Sequence, residues 1–223
     1  MRLLIVRHAQ SANNAGIGPR VSDPHLTETG ERQAELISGA LRPLDIDLLY
    51  VSPMRRTLQT AAPIVVACGL QARVFTGLHE WGGVYEELEE GHAHYPGLGR
   101  EEMTSIIPDL ALPEDVTDEG WWPGGLDISH FEDVLTHSRS RATRYLDYLA
   151  ARYPADVTIA VVTHGGFGSD LMEAALHIPP HPDHVLRFHQ ANTGHALIEL
   201  TETEIRLRWH NRIDHLPPEL ITS

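Results

Sequence analysis

Short, strongly apolar runs recur along this chain, and each passes directly into polar or small residues. The clearest runs are residues 3–6, 48–51 and 158–162. Short apolar runs that are followed by polar or small residues are typical of buried parallel strands that end in loops. Two later runs, residues 196–200 and 204–209, are separated by an acidic turn, which predicts a hairpin.

Longer segments between these runs carry apolar residues at helical spacing. The predicted helices are residues 27–41, 54–67, 128–152 and a segment that begins at 165 and reaches Pro179. Strands that alternate with helices and then end in a hairpin predict a three-layer α/β/α sandwich with a mostly parallel central sheet.

The predicted strands end in residues suited to phosphate chemistry. Arg7 and His8 follow the first strand, and His164 and Gly165 follow the strand at 158–162. After the strand at 48–51, Ser52 and Pro53 fit the cap and first position of a helix, which puts Arg55 in its first turn.

A further short strand ending near Phe75 leads to Glu80. Because ligands bind at the carboxyl ends of parallel strands, we expect these side chains to converge at one edge of the sheet.

Composition narrows the chemistry. All 17 cationic residues are arginine, so Schiff-base and Walker-type chemistries, which need lysine, are excluded. The net charge of −14 argues against nucleic acid or an anionic membrane as partner. We find no apolar span long enough for a membrane and no signal peptide. The single cysteine, Cys68, fits a cytoplasmic location.

Four motifs together resemble the histidine phosphatase superfamily, which includes the cofactor-dependent phosphoglycerate mutases. They are Arg-His-Ala-Gln-Ser at 7–11, Leu-Thr-Glu-Thr-Gly at 26–30, Ser-Pro-Met-Arg-Arg-Thr at 52–57 and Thr-His-Gly-Gly at 163–166. The motifs fall in the family's order and cover residues 2 to about 80 and about 157 to 200. Ala9 and Gln10 replace the family's usual Gly and Glu.

The strand-end residues and the resemblance assign the same roles. His8 is the expected nucleophile, and Arg7 and Arg55 are expected to clamp the phosphoryl oxygens. A protonated His164 is expected to be a third donor, with Gly165 allowing close approach of the backbone.

Two further residues are weaker candidates for phosphate or substrate binding. Asn14 lies where the family places a phosphate-contacting Asn, although a turn residue beside Gly16 fits as well. Arg20 is expected to reach the rim of the site, unless it forms an exposed salt bridge.

Glu80 is the expected general acid and, later, general base. This role needs a raised pKa, which we expect from burial under the following insertion. Glu86 and Glu87 compete for the role, because the resemblance is loosest at this point of the chain.

We expect one domain over residues 1–223, with residues 81–127 as a lid-like insertion. Packing of each of its tryptophans onto the domain is favoured over ligand contact. Between Trp81 and Leu126 the only cation is Arg100, among many acids. An acidic lid favours a monophosphate with a neutral, cationic or partly apolar body. The alternative is that cations from elsewhere in the chain, such as Arg20 or Arg187, fold over the site.

Two other function classes were weighed. The pairs His92/His94 and His181/His184 could bind a metal, which would make the protein a metal-dependent hydrolase. Neither pair has the spacing of a familiar zinc-binding helix motif. A binding module without catalysis conflicts with retention of the core residues.

The sequence thus predicts a phosphatase, without metal or cofactor, that hydrolyses a small phosphorylated metabolite through a phosphohistidine on His8. A phosphoglycerate-type mutase is the alternative, and a homodimer is compatible with either.

Overall fold

The computed structural model describes residues 1–126, 128–181 and 184–223. The strands are β1 Arg2–Arg7, β2 Leu48–Val51, β3 Ala72–Val74, β4 Tyr85–Glu87, β5 His92–His94, β6 Thr158–Thr163, β7 His195–Leu200 and β8 Ile205–Arg212. The helices are α1 Ala12–Ala15, α2 Glu28–Leu41, α3 Arg55–Cys68, α4 Arg100–Ile106, α5 Phe131–Arg152 and α6 Gly165–Ala175.

Six strands form the central sheet in the order β3-β2-β6-β1-β7-β8. The first four are parallel to one another, and β7 and β8 are antiparallel additions at one side. Arg7 pairs in register with Thr163, and Val51 with Val162. The residues that follow β1, β6 and β2 therefore emerge side by side at one edge of the sheet.

Side chains alternate across the sheet and build two cores. Leu4 and Val6 face α2 and α3, whereas Leu3 and Ile5 face α5 and α6. All four are fully buried. Strand β1 therefore has apolar residues on both faces. This is expected of a strand in a sheet that is covered by helices on both sides. The predicted three-layer α/β/α fold is thus confirmed.

Part of the segment expected to be a lid packs into the core. Leu98, Met103, Ile107 and Val116 are buried in the cluster that covers α3, and Trp121 is only 4% exposed. Packing, rather than ligand contact, thus accounts for Trp121. The antiparallel pair β4 and β5 stands apart from the main sheet and is largely exposed.

The start of α3 differs from the prediction. Its N-cap is Met54 rather than Ser52, and Arg55 is its first residue. The Ser52 hydroxyl is instead 2.8 Å from His164 Nε2. The Ser52 side chain thus bonds to the residue that follows β6, and the helix begins two residues after Pro53, the first helical position that a Ser52 cap predicts. This shift changes which arginine faces His8.

Candidate active site

A cavity of about 560 Å³ opens at the carboxyl ends of β1 and β6. Arg7, His8, Arg56, Glu80 and Gly165 line it together. A smaller recess of about 60 Å³ shares Arg56 and Glu80 with this cavity. The convergence expected from the strand ends is therefore present, with Arg56 in place of Arg55 and with His164 buried outside the cavity lining.

Two hydrogen bonds fix the state of the His8 ring. Nδ1 lies 2.7 Å from the Ala9 carbonyl oxygen, which can only accept, so Nδ1 carries the proton. Arg56 donates its Nε–H to His8 Nε2 over 3.2 Å. Burial, followed by the charges of Arg56 and Arg7, holds the pKa of His8 well below its usual value. His8 is thus neutral near pH 7, with a lone pair on Nε2.

Two arginines border His8. Arg7 is nearly buried and donates through Nη1 to the Gln190 carbonyl oxygen. Its Nε has no protein hydrogen-bond partner among the described residues. Arg56 is 12% exposed at its side chain and lies against the buried carboxylate of Asp23, with Nη1 3.6 Å from Oδ1. The cavity floor therefore carries two charges suited to phosphoryl oxygens.

Arg55, the arginine expected in this clamp, points elsewhere. Its Nη2 lies 3.1 Å from Glu102 Oε1 near the surface, and it does not line the cavity. Successive residues of a helix point about 100° apart. Once α3 begins at Arg55, the next residue, Arg56, faces His8. The expectation for Arg55 is therefore corrected to Arg56.

His164 lies beside His8, with ring centroids 5.2 Å apart in an edge-to-face arrangement. It is fully buried and does not itself line the cavity. Burial, reinforced by Arg56 and His8, holds its pKa well below the usual value. The expected protonated state is thus disfavoured in this structure, because burial and the nearby cations Arg56 and Arg141 oppose a further charge.

Glu80 is held by the start of α6. Its Oε1 accepts from the N–H groups of Trp81 at 3.0 Å and Phe167 at 2.8 Å, and its Oε2 accepts from Gly166 at 3.1 Å. The N–H groups of Gly166 and Phe167 are free donors of the first turn of α6. A Cβ at Gly166 would lie 2.6 Å from Glu80 Oε1, so the close approach needs glycine.

The segment before Glu80 is anchored separately. The Thr163 hydroxyl donates to the Leu78 carbonyl oxygen at 2.8 Å. The buried Arg141 donates from Nη1 to the carbonyl oxygens of Gly77 at 2.6 Å and His79 at 2.8 Å. Side chains of β6 and α5 thus fix the backbone that presents Glu80. Glu86, by contrast, lies on the exposed strand β4.

The remaining predicted residues lie at the rim. Asn14 lines the cavity, but its Oδ1 accepts from the Ser11 backbone at 3.2 Å in a capping box of α1. Arg20 also lines the cavity and is paired with Glu87 at 3.1 Å. Gly165 lies against Arg7, since a Cβ there would be 3.3 Å from Nε of that arginine.

Arg187, named with Arg20 as a cation from outside the insertion that could fold over the site, lies at its rim. Its guanidinium stacks 3.9 Å above the Trp81 ring, and both residues line the cavity. The indole N–H of Trp81 donates to Asp170 at 2.6 Å, which fixes the ring under the cation. No ion pair joins Arg187 to a carboxylate among the described residues. The described residues around it, 184–190, form no helix or strand, so no hydrophobic periodicity predicted its position.

The histidine pairs considered as metal ligands are outside this cavity. Within the described ranges, no group of three or more His, Cys, Asp or Glu side chains is arranged to hold a metal ion. His92 packs edge-on against Tyr85, and the rings of His181 and His184 stack 4.8 Å apart. Residues 182 and 183, between that last pair, lie outside the described residues.

Across the same ranges, no helix is both long and apolar enough to cross a membrane.

Comparison with known proteins agrees with this geometry. A Schizosaccharomyces pombe protein named Probable phosphatase C1687.21 is 33% identical over 168 residues, or 74% of this chain and 69% of that protein. A Yersinia enterocolitica protein named Probable phosphoglycerate mutase GpmB is 29% identical over 190 residues, covering 84% and 80% of the two chains.

A solved structure gives the same result for the fold. Phosphoserine phosphatase from Entamoeba histolytica, in complex with 3-phosphoglyceric acid, superposes with a TM-score of 0.63 at 19% identity, over 97% of this chain and 99% of that one. The family model of the histidine phosphatase superfamily (branch 1) matches residues 3–213. This chain therefore belongs to the histidine phosphatase superfamily, whose relatives are phosphatases and phosphoglycerate mutase-like enzymes.

Proposed function

We propose that this protein is a phosphatase, without a metal cofactor, that hydrolyses a small phosphomonoester through a phosphohistidine on His8. One observation carries the proposal. The neutral His8 ring, held by the Ala9 carbonyl, has its Nε2 lone pair at a cavity bordered by Arg7 and Arg56. A lone pair between two fixed cations suits attack on a phosphate dianion.

In the first step, the Nε2 lone pair of His8 attacks phosphorus while the bond from phosphorus to the ester oxygen breaks. Protonated Glu80 gives its proton to that leaving oxygen, so the product leaves as an alcohol. Arg7 and Arg56 stabilise the charge on the equatorial phosphoryl oxygens. Arg56 moves its Nε–H from His8 Nε2 to a phosphoryl oxygen as the bond forms.

In the second step, the Glu80 carboxylate takes a proton from water, whose oxygen attacks phosphorus. The phosphorus–nitrogen bond breaks, its electron pair returns to His8 Nε2, and inorganic phosphate leaves. Glu80 is protonated again and ready for the next ester. Its anchoring by the backbone of α6 keeps the carboxyl group in place through both steps.

A rapid-quench experiment tests the covalent step. Wild-type protein mixed with a ³²P-labelled monoester should yield an adduct that is labile in acid and stable in base, as a phosphoramidate is. His8→Ala should abolish the adduct and lower turnover by several orders of magnitude, because the nucleophile is lost. Turnover of that variant within about tenfold of wild type would contradict the proposal.

The same assay with EDTA tests the absence of a metal requirement. Activity is expected to be unchanged, since arginines supply the charge stabilisation. A loss that zinc or magnesium restores would favour metal-assisted hydrolysis instead.

The rim of the cavity bears on the substrate. Most of the acidic insertion lies away from the site: of its described residues 81–126, Trp81 lines this cavity, and Gly83, Tyr85 and Glu87 line the adjoining recess. Two arginines, Arg20 and Arg187, line the cavity itself. The complex of the Entamoeba enzyme with 3-phosphoglyceric acid is one in which a relative binds a phosphorylated carboxylic acid. We therefore propose a substrate with a carboxylate beyond its phosphate, in place of a neutral or cationic body.

Variants of the rim test this substrate class. Arg187→Gln should lower kcat/KM for 3-phosphoglycerate and phosphoserine about tenfold, a loss of roughly 1.4 kcal/mol, and leave glycerol phosphate within twofold. Arg208→Gln, on the exposed strand β8, is the matched arginine control. Equal losses on all three substrates would remove Arg187 from substrate selection.

A mutase is the second candidate, and the same two arginines favour it. A mutase must retain a bisphosphorylated intermediate, and cations at the rim suit a second phosphate. Incubation of 3-phosphoglycerate with catalytic 2,3-bisphosphoglycerate separates the candidates. Phosphate release faster than formation of 2-phosphoglycerate is expected; faster interconversion would establish the mutase.

The proposed setting is the cytoplasm, where the single cysteine stays reduced. With a net charge of −14, neither nucleic acid nor an anionic membrane is a proposed partner.

A further inference from the structure

Asp23 lies behind Arg56, outside the cavity. Its side chain is fully buried, and Oδ1 is 3.6 Å from Arg56 Nη1. Both carboxylate oxygens also accept from the Arg55 backbone N–H at 3.0 Å. Asp23 is absent from the lining of the cavity, so a substrate does not touch it.

The Asp23 carboxylate accepts the hydrogen bond at the N-terminus of α3 that a capping side chain would normally accept. Met54 makes no side-chain hydrogen bond at the N-terminus of the helix. Asp23, from the loop before α2, accepts from the Arg55 N–H instead. Its negative charge also attracts the guanidinium of the next residue, Arg56. The same side chain thus sets where the first turn begins and where the guanidinium lies.

We propose that Asp23 is a positioning residue that holds the Arg56 guanidinium against His8 and so prepares the site to bind phosphate. The inference rests on the proposed function only where it implies an effect of Asp23 on catalysis. Phosphate binding itself needs no turnover.

The charge of Asp23 depends on its surroundings. Arg55 and Arg56 face it from α3, Glu102 faces it from α4, and Tyr95 lies near it in the preceding loop. Burial raises the pKa of Asp23 to about 6, and the two arginines oppose this rise. Asp23 is therefore ionised above about pH 6 and neutral below it, so the pull on Arg56 weakens in acid.

Inorganic phosphate is the probe, measured by calorimetry from pH 5 to 8 on wild type and Asp23→Asn. Asparagine keeps the shape and one acceptor but has no charge. The Kd of the variant is expected to be about 10-fold or more above that of wild type at pH 7.5. The ratio of the two should fall towards 1 at pH 5, where both residues are neutral. A purely structural role would leave this ratio independent of pH.

A double variant tests whether Asp23 acts through Arg56. In an Arg56→Lys background, Asp23→Asn should change the Kd less than twofold, because the guanidinium geometry is already lost. Glu102→Gln removes the charge that pairs with Arg55, and its amide oxygen can still accept from the Gly99 N–H. This variant should stay within twofold of wild type at pH 7.5. Melting temperatures of all variants identify any that fail to fold, and Asp23→Glu then replaces Asp23→Asn to test geometry at constant charge.

The outcomes are distinct. The proposal is supported if the ratio of the Kd of Asp23→Asn to that of wild type falls in acid, and if Asp23→Asn changes the Kd less than twofold in the Arg56→Lys background. A ratio near 1 at every pH, or one equally large in the Arg56→Lys background, overturns it. If wild type binds phosphate in this pattern but hydrolyses no monoester, the proposed function fails and the positioning role of Asp23 stands.

Discussion

Two adjacent arginines with different surroundings give the sharpest test of this site. Arg56→Gln removes the N–H that meets His8 Nε2 and the charge beside the cavity. Arg55→Gln removes an arginine whose partner, Glu102, is 55% exposed. The two changes are chemically identical and one position apart, so any general effect of losing a cation from α3 is shared.

The structure sets the expected sizes. Loss of one preorganised donor to developing charge costs about 10²- to 10³-fold in kcat, or roughly 3–4 kcal/mol of transition-state stabilisation. Arg56→Gln is expected in that range. An exposed ion pair contributes about 0.2–1 kcal/mol to stability. Arg55→Gln is therefore expected to lower stability by less than about 1 kcal/mol and kcat by less than about threefold.

Stability of the Arg56 variant needs its own estimate, because Asp23 loses its charged neighbour. Asp23 keeps both contacts to the Arg55 N–H and can take up a proton, since its pKa is already about 6. The expected cost is about 1–3 kcal/mol, that of a weakened buried hydrogen-bonded group.

Steady-state phosphate release from an aryl phosphate at pH 7.5, with urea unfolding of each variant, measures both quantities. The aryl ester is chosen because its leaving group needs little protonation, which isolates the clamp from Glu80. A loss of 100-fold or more in Arg55→Gln, with Arg56→Gln close to wild type, would refute the assignment of Arg56.

Three further predictions concern the acid, the helix that holds it and the response to pH. Glu80→Gln should reduce turnover of alkyl phosphates at least tenfold more than that of aryl phosphates, measured as phosphate release; equal losses would assign the acid elsewhere. Gly166→Ala should displace Glu80 and lower kcat about 10- to 100-fold, while Gly39→Ala, with open space around its Cβ, should leave kcat unchanged; similar kinetics for both would contradict this.

Burial lowers the pKa of His195 to about 4, so the unfolded chain, with a histidine pKa of about 6.5, binds the proton first as the pH falls. Stability should therefore drop between pH 6.5 and 4, by roughly 3 kcal/mol from this residue alone. Urea unfolding at pH 7 and 5 should show a smaller drop in His195→Gln than in wild type.

The strand ends were predictable from the sequence because of a property of parallel sheets. Hydrophobic runs locate the strands, and every parallel strand delivers its next residues to the same edge. His8 and His164 meet because Arg7 and Thr163 pair in register. No knowledge of the loops is needed for that, so this part of the site followed from local patterns alone.

The choice between Arg55 and Arg56 was not predictable, because it depends on where a helix starts. Ser52 and Pro53 are good signals for a cap, yet the Ser52 hydroxyl contacts His164 and the helix begins at Arg55. Cap propensities are worth about 1 kcal/mol, and a tertiary hydrogen bond is worth a similar amount. A contact across the sheet can therefore move a helix start by two residues.

The sequence did not indicate the lowered pKa of His164 for a related reason. A histidine at a strand end is accessible by default, and the sequence contains no sign that Arg56, His8 and the protein interior surround it. Burial and the charges of Arg56 from α3 and Arg141 from α5 act in the same direction on its pKa. Such a sum of long-range effects is invisible until the chain is folded.

The acidic insertion shows why composition along a segment does not give the charge of a site. Its one cation, Arg100, donates to backbone carbonyls of Pro113 and Val116, and its apolar residues join the core over α3. The rim charge comes instead from Arg20 and Arg187, which lie about 60 residues before and after that segment in sequence. In a chain of net charge −14, a cavity bordered by four arginines attracts anions against the field of the whole protein. The proposed substrate, with two anionic groups, is a reason for four arginines to line this cavity. That proposal requires the loss of selectivity expected in Arg187→Gln.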